Sequence, residues 1–179
     1  MGQKMSFYEG GCKIQLFKNA GNLKILTGTM ICAPVNFSDI KCLDHVPSKP
    51  GWYFIKTNTP ITAFQDLRTP MVEHHKDIPE CIKFTNTLLA QGFAIIDQPG
   101  GLRVVYNGET KSLRQRAKEH FFGKPGTYCL GISDYPTLKQ PKCKWEFCYV
   151  EAGTKDMGVR LFGEQIWRTV NGWPILCER

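Results

Sequence analysis

A chain of 179 residues with ordinary apolar content can bury a core as one domain spanning 1–179, which excludes the disordered and fibrous classes of protein. It has no run of roughly 18 apolar residues and no apolar signal core at its start, so we expect a cytoplasmic protein without a membrane span. The formal net charge of +7 favours anionic partners, above all nucleic acid.

Eight cysteines are spread along the chain, and no two of them form a Cys-x-x-Cys pair. Because a cytoplasmic compartment keeps thiols reduced, we expect free cysteines, several of them buried, and no disulfides. Cys143 and Cys148 are the closest pair, and this spacing does not indicate a zinc site.

The first third of the chain predicts a hairpin, a connector and a strand. Residues 11–32 form the hairpin, with a polar turn at 19–22 and a return strand at 23–27. Three prolines among short polar stretches make 33–50 a connector. Residues 51–56 contain a Trp-Tyr-Phe-Ile run, which favours a β-strand.

The middle of the chain predicts a helix and a second hairpin. Asp77 is placed to cap a helix that runs to about residue 91, with Pro79 in its first turn. Residues 93–96 then predict a strand, followed by a Pro-Gly-Gly turn and a return strand at 102–106.

A strand, a glycine turn and a helix are predicted between 102 and 123. The strand ends at Tyr106, and Gly108 provides the turn. Ser112 is placed as the helix N-cap, Gln115 would close a capping box, and Gly123 marks the helix end.

That helix predicts an apolar face bordered by two functional side chains. Leu113, Ala117 and Phe121 recur every fourth residue and form the core face. Arg116 and His120 are also four apart, at the border of this face, so we expect the fold to survive the loss of the arginine. An arginine can bind a phosphate through two hydrogen bonds.

The last third predicts a loop at 123–142, a strand at 144–150 and a helix at 157–170. Phe162, Ile166 and Val170 are expected to form the core stripe of the last helix. The order of elements predicts a mixed α/β fold, in which helices flank a small antiparallel sheet.

Residues 51–56 and 102–175 resemble the GIY-YIG nuclease family. In that family a Tyr-x-Gly is followed ten residues after the tyrosine by an arginine, and four later often by a histidine, the register of Tyr106, Arg116 and His120. Tyr53 follows the pattern of the first half-motif, and Glu164 that of the later metal-binding glutamate. The resemblance implies a GIY-YIG-like core with an N-terminal hairpin extension, 1–50, and a helical insertion, 57–101.

The insertion leaves two arrangements open, because Tyr53 and Tyr106 are 53 residues apart. In the first, strand 51–56 pairs beside strand 102–106. In the second, residues 93–96, which contain no tyrosine, take that place.

The resemblance implies a catalytic role for each matched residue. Glu164 would hold Mg²⁺ or Mn²⁺ together with a substrate phosphate, and Arg116 would stabilise that phosphate. Tyr53 or Tyr106 would take the proton of water, with a pKa lowered by nearby cations, and His120 would orient a tyrosine or the phosphate. Glu146, Glu151 and Asp156 compete for the metal role, and His74 and His75 are taken as structural. Further DNA contacts are expected from Lys111, Arg114, Lys118 and Asn171.

These roles imply a Mg²⁺-dependent endonuclease that acts on double-stranded DNA. A stand-alone chain resembles the restriction endonucleases of the family, for which a homodimer on a palindromic site is one option. A homing or structure-specific repair nuclease is the alternative enzyme. A DNA-binding module that has lost cutting is the non-enzyme alternative.

Overall fold

The computed structural model describes residues 13–15, 27–68, 75–96, 101–124 and 126–178. These residues form a mixed α/β fold with a two-stranded sheet, a four-stranded antiparallel sheet and four helices. The strands are β1 (Lys13–Gln15), β2 (Thr27–Thr29), β3 (Ile31–Pro34), β4 (Gly51–Thr57), β5 (Arg103–Thr110) and β6 (Trp145–Glu151). The helices are α1 (Thr62–Gln65), α2 (Ile78–Ala90), α3 (Leu113–Phe122) and α4 (Met157–Asn171).

Strand β4 lies inside the larger sheet, whose order is β3-β6-β4-β5. A strand that is covered on both faces needs apolar side chains at successive positions, as in its Trp-Tyr-Phe-Ile run. Tyr53 and Ile55 pack into the main core on one face, and Trp52 and Phe54 pack into a smaller cluster on the other.

Gly51 begins β4 where the backbone leaves no room for a side chain. A Cβ at this position would lie 2.4 Å from the carbonyl oxygen of Val150 on β6 and 2.8 Å from Cδ1 of Leu113 on α3. Gly51, two residues before Tyr53, therefore allows the close approach of three elements.

Helix α3 has the predicted core face, because Leu113, Ala117 and Phe121 are fully buried. It also ends as predicted at Gly123, whose φ of 74° favours glycine. The predicted capping box is wrong. The Ser112 side chain makes no capping hydrogen bond, and the Gln115 amide donates to Glu119. Carbonyls of the preceding connector accept the first two helical N–H groups, so no side-chain cap is needed.

The predicted hairpin of 93–96 with 102–106 is wrong. Strand β5 pairs with β4, and Ile95 makes only an isolated bridge to Trp173. The Ala94 carbonyl accepts the N–H of Trp173, and the Ile96 N–H donates to the Trp173 carbonyl. Residues 93–96 therefore bond to the C-terminal segment and not to 102–106. Helix α2 is confirmed, with the Asp77 carboxylate accepting the N–H of Glu80 at 3.3 Å.

The N-terminal region differs from its prediction in two ways. Strand β1 pairs with β2 at 27–29, later than the expected return strand, and the predicted turn at 19–22 lies outside the described residues. Residues 31–34 belong to the main sheet as edge strand β3, where the sequence predicted the end of the hairpin and a connector. An edge strand tolerates Pro34, because a backbone nitrogen on the open side of the strand needs no N–H for the sheet.

The core stripe predicted for α4 is also wrong. Phe162 is 53% exposed and Val170 is 41% exposed. The helix instead turns Arg160, Glu164 and Arg168 inward, because Glu109 and Asn107 of β5 hold the two guanidinium groups.

Cys32 and Cys148 form a disulfide between β3 and β6, so the prediction of free thiols is wrong for this pair. The two residues are directly opposite each other in the register, and their Cα atoms lie 3.9 Å apart. Free thiols are confirmed at Cys42, Cys81, Cys129, Cys143 and Cys177, and Cys12 lies outside the described residues.

None of the helices in the described part of the chain is long and apolar enough to cross a membrane.

Candidate active site

The pairing of β4 with β5 brings the two motif tyrosines together. Tyr53 is opposite Gly108, and Tyr106 is opposite Ile55 two positions along, so both tyrosines lie on the same face of the sheet. Their rings stack with centroids 6.1 Å apart and planes 22° apart. The first of the two arrangements left open by the sequence is therefore the observed one.

Gly108 lies inside β5 and makes no turn, which corrects the prediction. A Cβ at this position would lie 2.4 Å from the hydroxyl oxygen of Tyr53 and 2.7 Å from its Cζ. Gly108 therefore leaves room for the ring of Tyr53 on the neighbouring strand.

The hydroxyl oxygen of Tyr53 accepts hydrogen bonds from two candidate catalytic residues. Arg116 donates through Nε at 3.2 Å, and His120 lies at 2.9 Å through Nε2. His120 Nδ1 accepts the backbone N–H of Leu130 at 3.2 Å, which assigns the ring proton to Nε2. Burial, with the nearby charges of Arg116 and Lys76, holds the pKa of His120 well below its usual 6.5, so the imidazole is neutral at neutral pH.

The expected lowering of the tyrosine pKa is wrong. Burial raises the pKa of Tyr53 to about 12, and the opposing effect of Arg116 is smaller. Burial and the neighbouring Tyr53 raise the pKa of Tyr106 well above 10.0. Both phenols are therefore protonated at neutral pH.

The raised pKa of Tyr53 predicts a loss of stability in alkaline solution. Above pH 10 the unfolded chain loses the tyrosine proton first, so the contribution of Tyr53 is complete below pH 10 and is lost as pH rises towards about 12. The slope approaches about 1.4 kcal/mol per pH unit for one group. Urea unfolding from pH 8 to 11 measures it, and Tyr53→Phe should reduce the slope. An unchanged slope in Tyr53→Phe would assign the alkaline loss to other groups.

Arg116 is fixed by its surroundings. Besides Tyr53, it donates through Nη1 to Glu119 at 3.1 Å and to the carbonyl of Thr127 at 2.8 Å, and through Nη2 to the carbonyl of Tyr128 at 3.2 Å. A guanidinium has five N–H donors, so one N–H of Nη2 remains for a ligand. The expectation that the fold survives loss of this side chain is therefore revised, because four hydrogen bonds depend on it.

A cleft of about 360 Å³ contains Tyr106, Arg116 and Glu164. Tyr53 and His120 lie directly behind its wall, joined to it through Arg116 and the stacked tyrosine rings. The other lining residues are Lys76, Tyr128, Arg168, Cys177 and Glu178. The five predicted catalytic residues therefore lie close together. Tyr106, Arg116 and Glu164 line the cleft, and Tyr53 and His120 lie in the layer behind it.

Two cations in the cleft were not found from the sequence. Lys76 forms an ion pair with Glu178 at 2.9 Å, and no local signal marks it because it precedes α2 in the insertion. Arg168 lies one helical turn after Glu164, a spacing that the sequence does contain. With Arg116, these residues give the cleft three positive side chains.

Glu164 and Arg168 form a buried ion pair. Arg168 donates through Nη2 to Glu164 Oε1 and through Nε to Asn107 Oδ1 at 2.8 Å, and its guanidinium lies over the ring of Trp173. Burial raises the pKa of Glu164 above its usual 4.5, and Arg168 opposes that change. Arg168 Nη1 is buried and has no hydrogen-bond partner among the described residues, so one nitrogen of this guanidinium is left unsatisfied.

The donor chemistry of the cleft fits a divalent cation that is shared with a substrate. Mg²⁺ is bound in proteins by one or two carboxylates together with substrate phosphates and water. Glu164 and Glu178 are the carboxylates that line the cleft. Glu164 is paired with Arg168, and Glu178 is paired with Lys76. The residues fit this mode and do not form a cage of protein ligands.

The competing acids lie elsewhere. Glu151 pairs with Lys49 at the surface, and the Asp156 carboxylate caps α4. Glu146 lies near Cys32 and Cys148, the group of possible metal ligands that the described residues contain, but the disulfide joins its two sulfurs.

The predicted DNA contacts divide into two groups. Lys111 lines a groove of about 430 Å³ that shares Arg116 with the cleft, and Arg114 and Lys118 line a neighbouring groove of about 420 Å³. Lys118 is paired with Asp44 at 2.5 Å. Asn171 does not line the cleft; its side chain donates to the carbonyl of Trp167 at the end of α4.

The side chain of His75 is buried, with Nδ1 2.8 Å from Asp134 Oδ2 and close to Gly131. His74 lies outside the described residues.

No protein-family model, curated protein or solved structure matches the chain.

Proposed function

We propose that this protein is a Mg²⁺-dependent endonuclease with a GIY-YIG-like core that hydrolyses double-stranded DNA. The observation that supports it most is the meeting of Tyr106, Arg116 and Glu164 in one cleft, with Tyr53 and His120 bonded in the layer behind. These residues come from β4, β5, α3 and α4, so no local feature of the sequence forces them together.

The cleft can bind a phosphodiester through its positive groups. Arg116 has one free N–H, and Arg168 has an unpartnered Nη1. Lys76 adds a third charge. Fixed donors in a partly dry cleft stabilise the charge that develops on phosphate oxygens, because they need no reorganisation during the reaction.

Tyr106 is the better placed of the two candidate bases, because it lines the cleft and Tyr53 does not. Its hydroxyl makes no hydrogen bond to the described residues, so it can bond to a water molecule in the cleft. Tyr53 then has a positioning role, because it holds Arg116 and His120.

A divalent cation, when bound, supplies charge neutralisation at the phosphate and support for the leaving oxygen. Glu164 would hold it, and Arg168 keeps the Glu164 carboxylate in place within the buried layer.

The cleavage rate should rise with pH. Because the pKa of Tyr106 is raised well above 10.0, its phenolate is scarce at neutral pH. We expect a rise of roughly tenfold per pH unit between about pH 7 and 9 at saturating DNA. Plasmid nicking rates measure this, with Tyr106→Phe as the comparison. A plateau beginning near neutral pH would exclude Tyr106 as the base.

Arg116→Lys should lower the cleavage rate about 10²-fold, the effect of losing one transition-state donor. A lysine keeps the charge but cannot make the four fixed contacts together with a fifth to phosphate. Single-turnover rates test this, with Arg68→Lys, at an exposed arginine that does not line the cleft, as the matched control. Near-normal turnover in Arg116→Lys would refute the phosphate role.

We further propose that the enzyme is a site-specific type II restriction endonuclease. A digest of long DNA tests the subclass, since such an enzyme gives discrete bands. Preference for branched DNA would favour a repair nuclease, and DNA binding without cleavage in Mg²⁺ or Mn²⁺ would favour a non-catalytic module.

A further inference from the structure

Tyr128 has an unusual conformation at the mouth of the cleft. Its side chain is 58% exposed, and its φ is 51°, the left-handed region that bulky residues rarely adopt. Among the described residues it is the one residue other than glycine with a positive φ. A tyrosine held in this way costs about 1 kcal/mol or more of backbone strain, so other contacts must stabilise it.

Two candidate catalytic residues hold the segment that carries Tyr128. Arg116 donates to the carbonyls of Thr127 and Tyr128, and His120 accepts the N–H of Leu130. The same side chains bond to the Tyr53 hydroxyl. The position of the exposed ring is therefore fixed by the atoms that build the catalytic layer.

The ring lies among positive charges that suit a nucleotide. Lys76 Nζ is 5.0 Å from the ring centroid, and Arg116 is bonded to the backbone of the same residue. A phosphate held by the cations of the cleft would place the attached nucleoside close to the exposed ring. An aromatic ring beside a phosphate site can stack on a base whatever its identity, because every base has a π-face.

We propose that Tyr128 is a stacking platform for a nucleobase next to the phosphate bound in the cleft. Bases in an intact duplex are covered by their neighbours, so the platform would take a base that is unstacked at the cleavage step. The substrate at the moment of cleavage is thus locally distorted DNA. This inference rests on the proposed function, since it requires that the cleft bind DNA.

Tyr128→Asn provides a clean test, because asparagine tolerates the left-handed backbone and lacks a ring. The probe is a duplex oligonucleotide with 2-aminopurine opposite a mismatched base, titrated without divalent cation so that it stays intact. We expect Tyr128→Asn to bind it about tenfold more weakly with an unchanged salt dependence, because no charge is lost. The wild type and Tyr128→Phe should quench 2-aminopurine by stacking, and Tyr128→Asn should not.

The melting temperature of Tyr128→Asn should equal or exceed that of the wild type, which confirms that the variant is folded. If it melts lower, Tyr128→Gly serves as the ringless variant. Equal affinity and equal quenching in the wild type and the ringless variant would overturn the stacking role and leave the nuclease proposal intact. Failure of the wild-type protein to bind DNA at all would overturn both.

Discussion

Glu164→Gln should abolish DNA cleavage and leave DNA binding intact. The carboxylate lines the same cleft as Arg116, Arg168 and Lys76, where a divalent cation and a phosphate would meet. A neutral amide is a weak ligand for Mg²⁺, and we expect a loss of at least about 10²-fold in single-turnover rate. DNA affinity should stay equal or increase, because one negative charge near the phosphate is removed.

Stability must be measured alongside, because Glu164 is the partner of buried Arg168. Removing one member of a buried ion pair can cost about 3–5 kcal/mol, although the glutamine carbonyl can still accept the Arg168 hydrogen bond. Glu151→Gln is the matched control, since this acid pairs with Lys49 at the surface outside the cleft. The Glu151→Gln variant should cleave DNA at the wild-type rate. Normal cutting by folded Glu164→Gln would remove this residue from the metal role.

Gly108→Ala should cause a large loss of both stability and cleavage. The added methyl group would lie 2.4 Å from the Tyr53 hydroxyl and 2.7 Å from Cζ, so the ring must move. Overpacking costs about 1–3 kcal/mol, and displacing the hydroxyl leaves Arg116 Nε and His120 Nε2 without their acceptor, at about 1–3 kcal/mol each. We expect the free energy of unfolding to fall by at least about 3 kcal/mol.

Gly101→Ala is the control, because no described residue beyond its chain neighbours has an atom within 4 Å of a Cβ added there. Its free energy of unfolding should stay within about 0.5 kcal/mol of the wild type. The double variant Gly108→Ala with Tyr53→Phe should recover part of the stability lost in Gly108→Ala, because the nearest atom in the clash is gone. If Gly108→Ala alone were as stable as Gly101→Ala, the close approach of Tyr53 to β5 would be wrong.

The sequence predicted what is local and missed what depends on contacts across the fold. The spacing of Tyr106, Arg116 and His120 follows from one strand leading into one helix, and the structure keeps it. The sequence predicts a turn at Gly108 because glycine often makes turns. The structural reason for this glycine is instead the Tyr53 ring on the neighbouring strand, which leaves no room for a side chain. Nothing near residue 108 in the chain could reveal that contact.

Helix α4 shows the same limit in its packing. Counting apolar residues places Phe162 and Val170 in the core. The helix instead buries Arg168 and Arg160, because β5 supplies Asn107 and Glu109 as their respective partners. A polar buried face can be recognised only when its partners are known. The same holds for Cys32 and Cys148, which are 116 residues apart and meet through strand register alone.

The most direct test of the proposed hydrolysis is a timed digest of supercoiled plasmid with Mg²⁺ or with EDTA, run with the wild type beside Glu164→Gln. We expect the wild type to linearise or fragment the plasmid in Mg²⁺ and not in EDTA, and Glu164→Gln to bind the same DNA without cutting it. An intact plasmid after incubation with folded, DNA-binding wild-type protein in Mg²⁺ and in Mn²⁺, from neutral to alkaline pH, would contradict it.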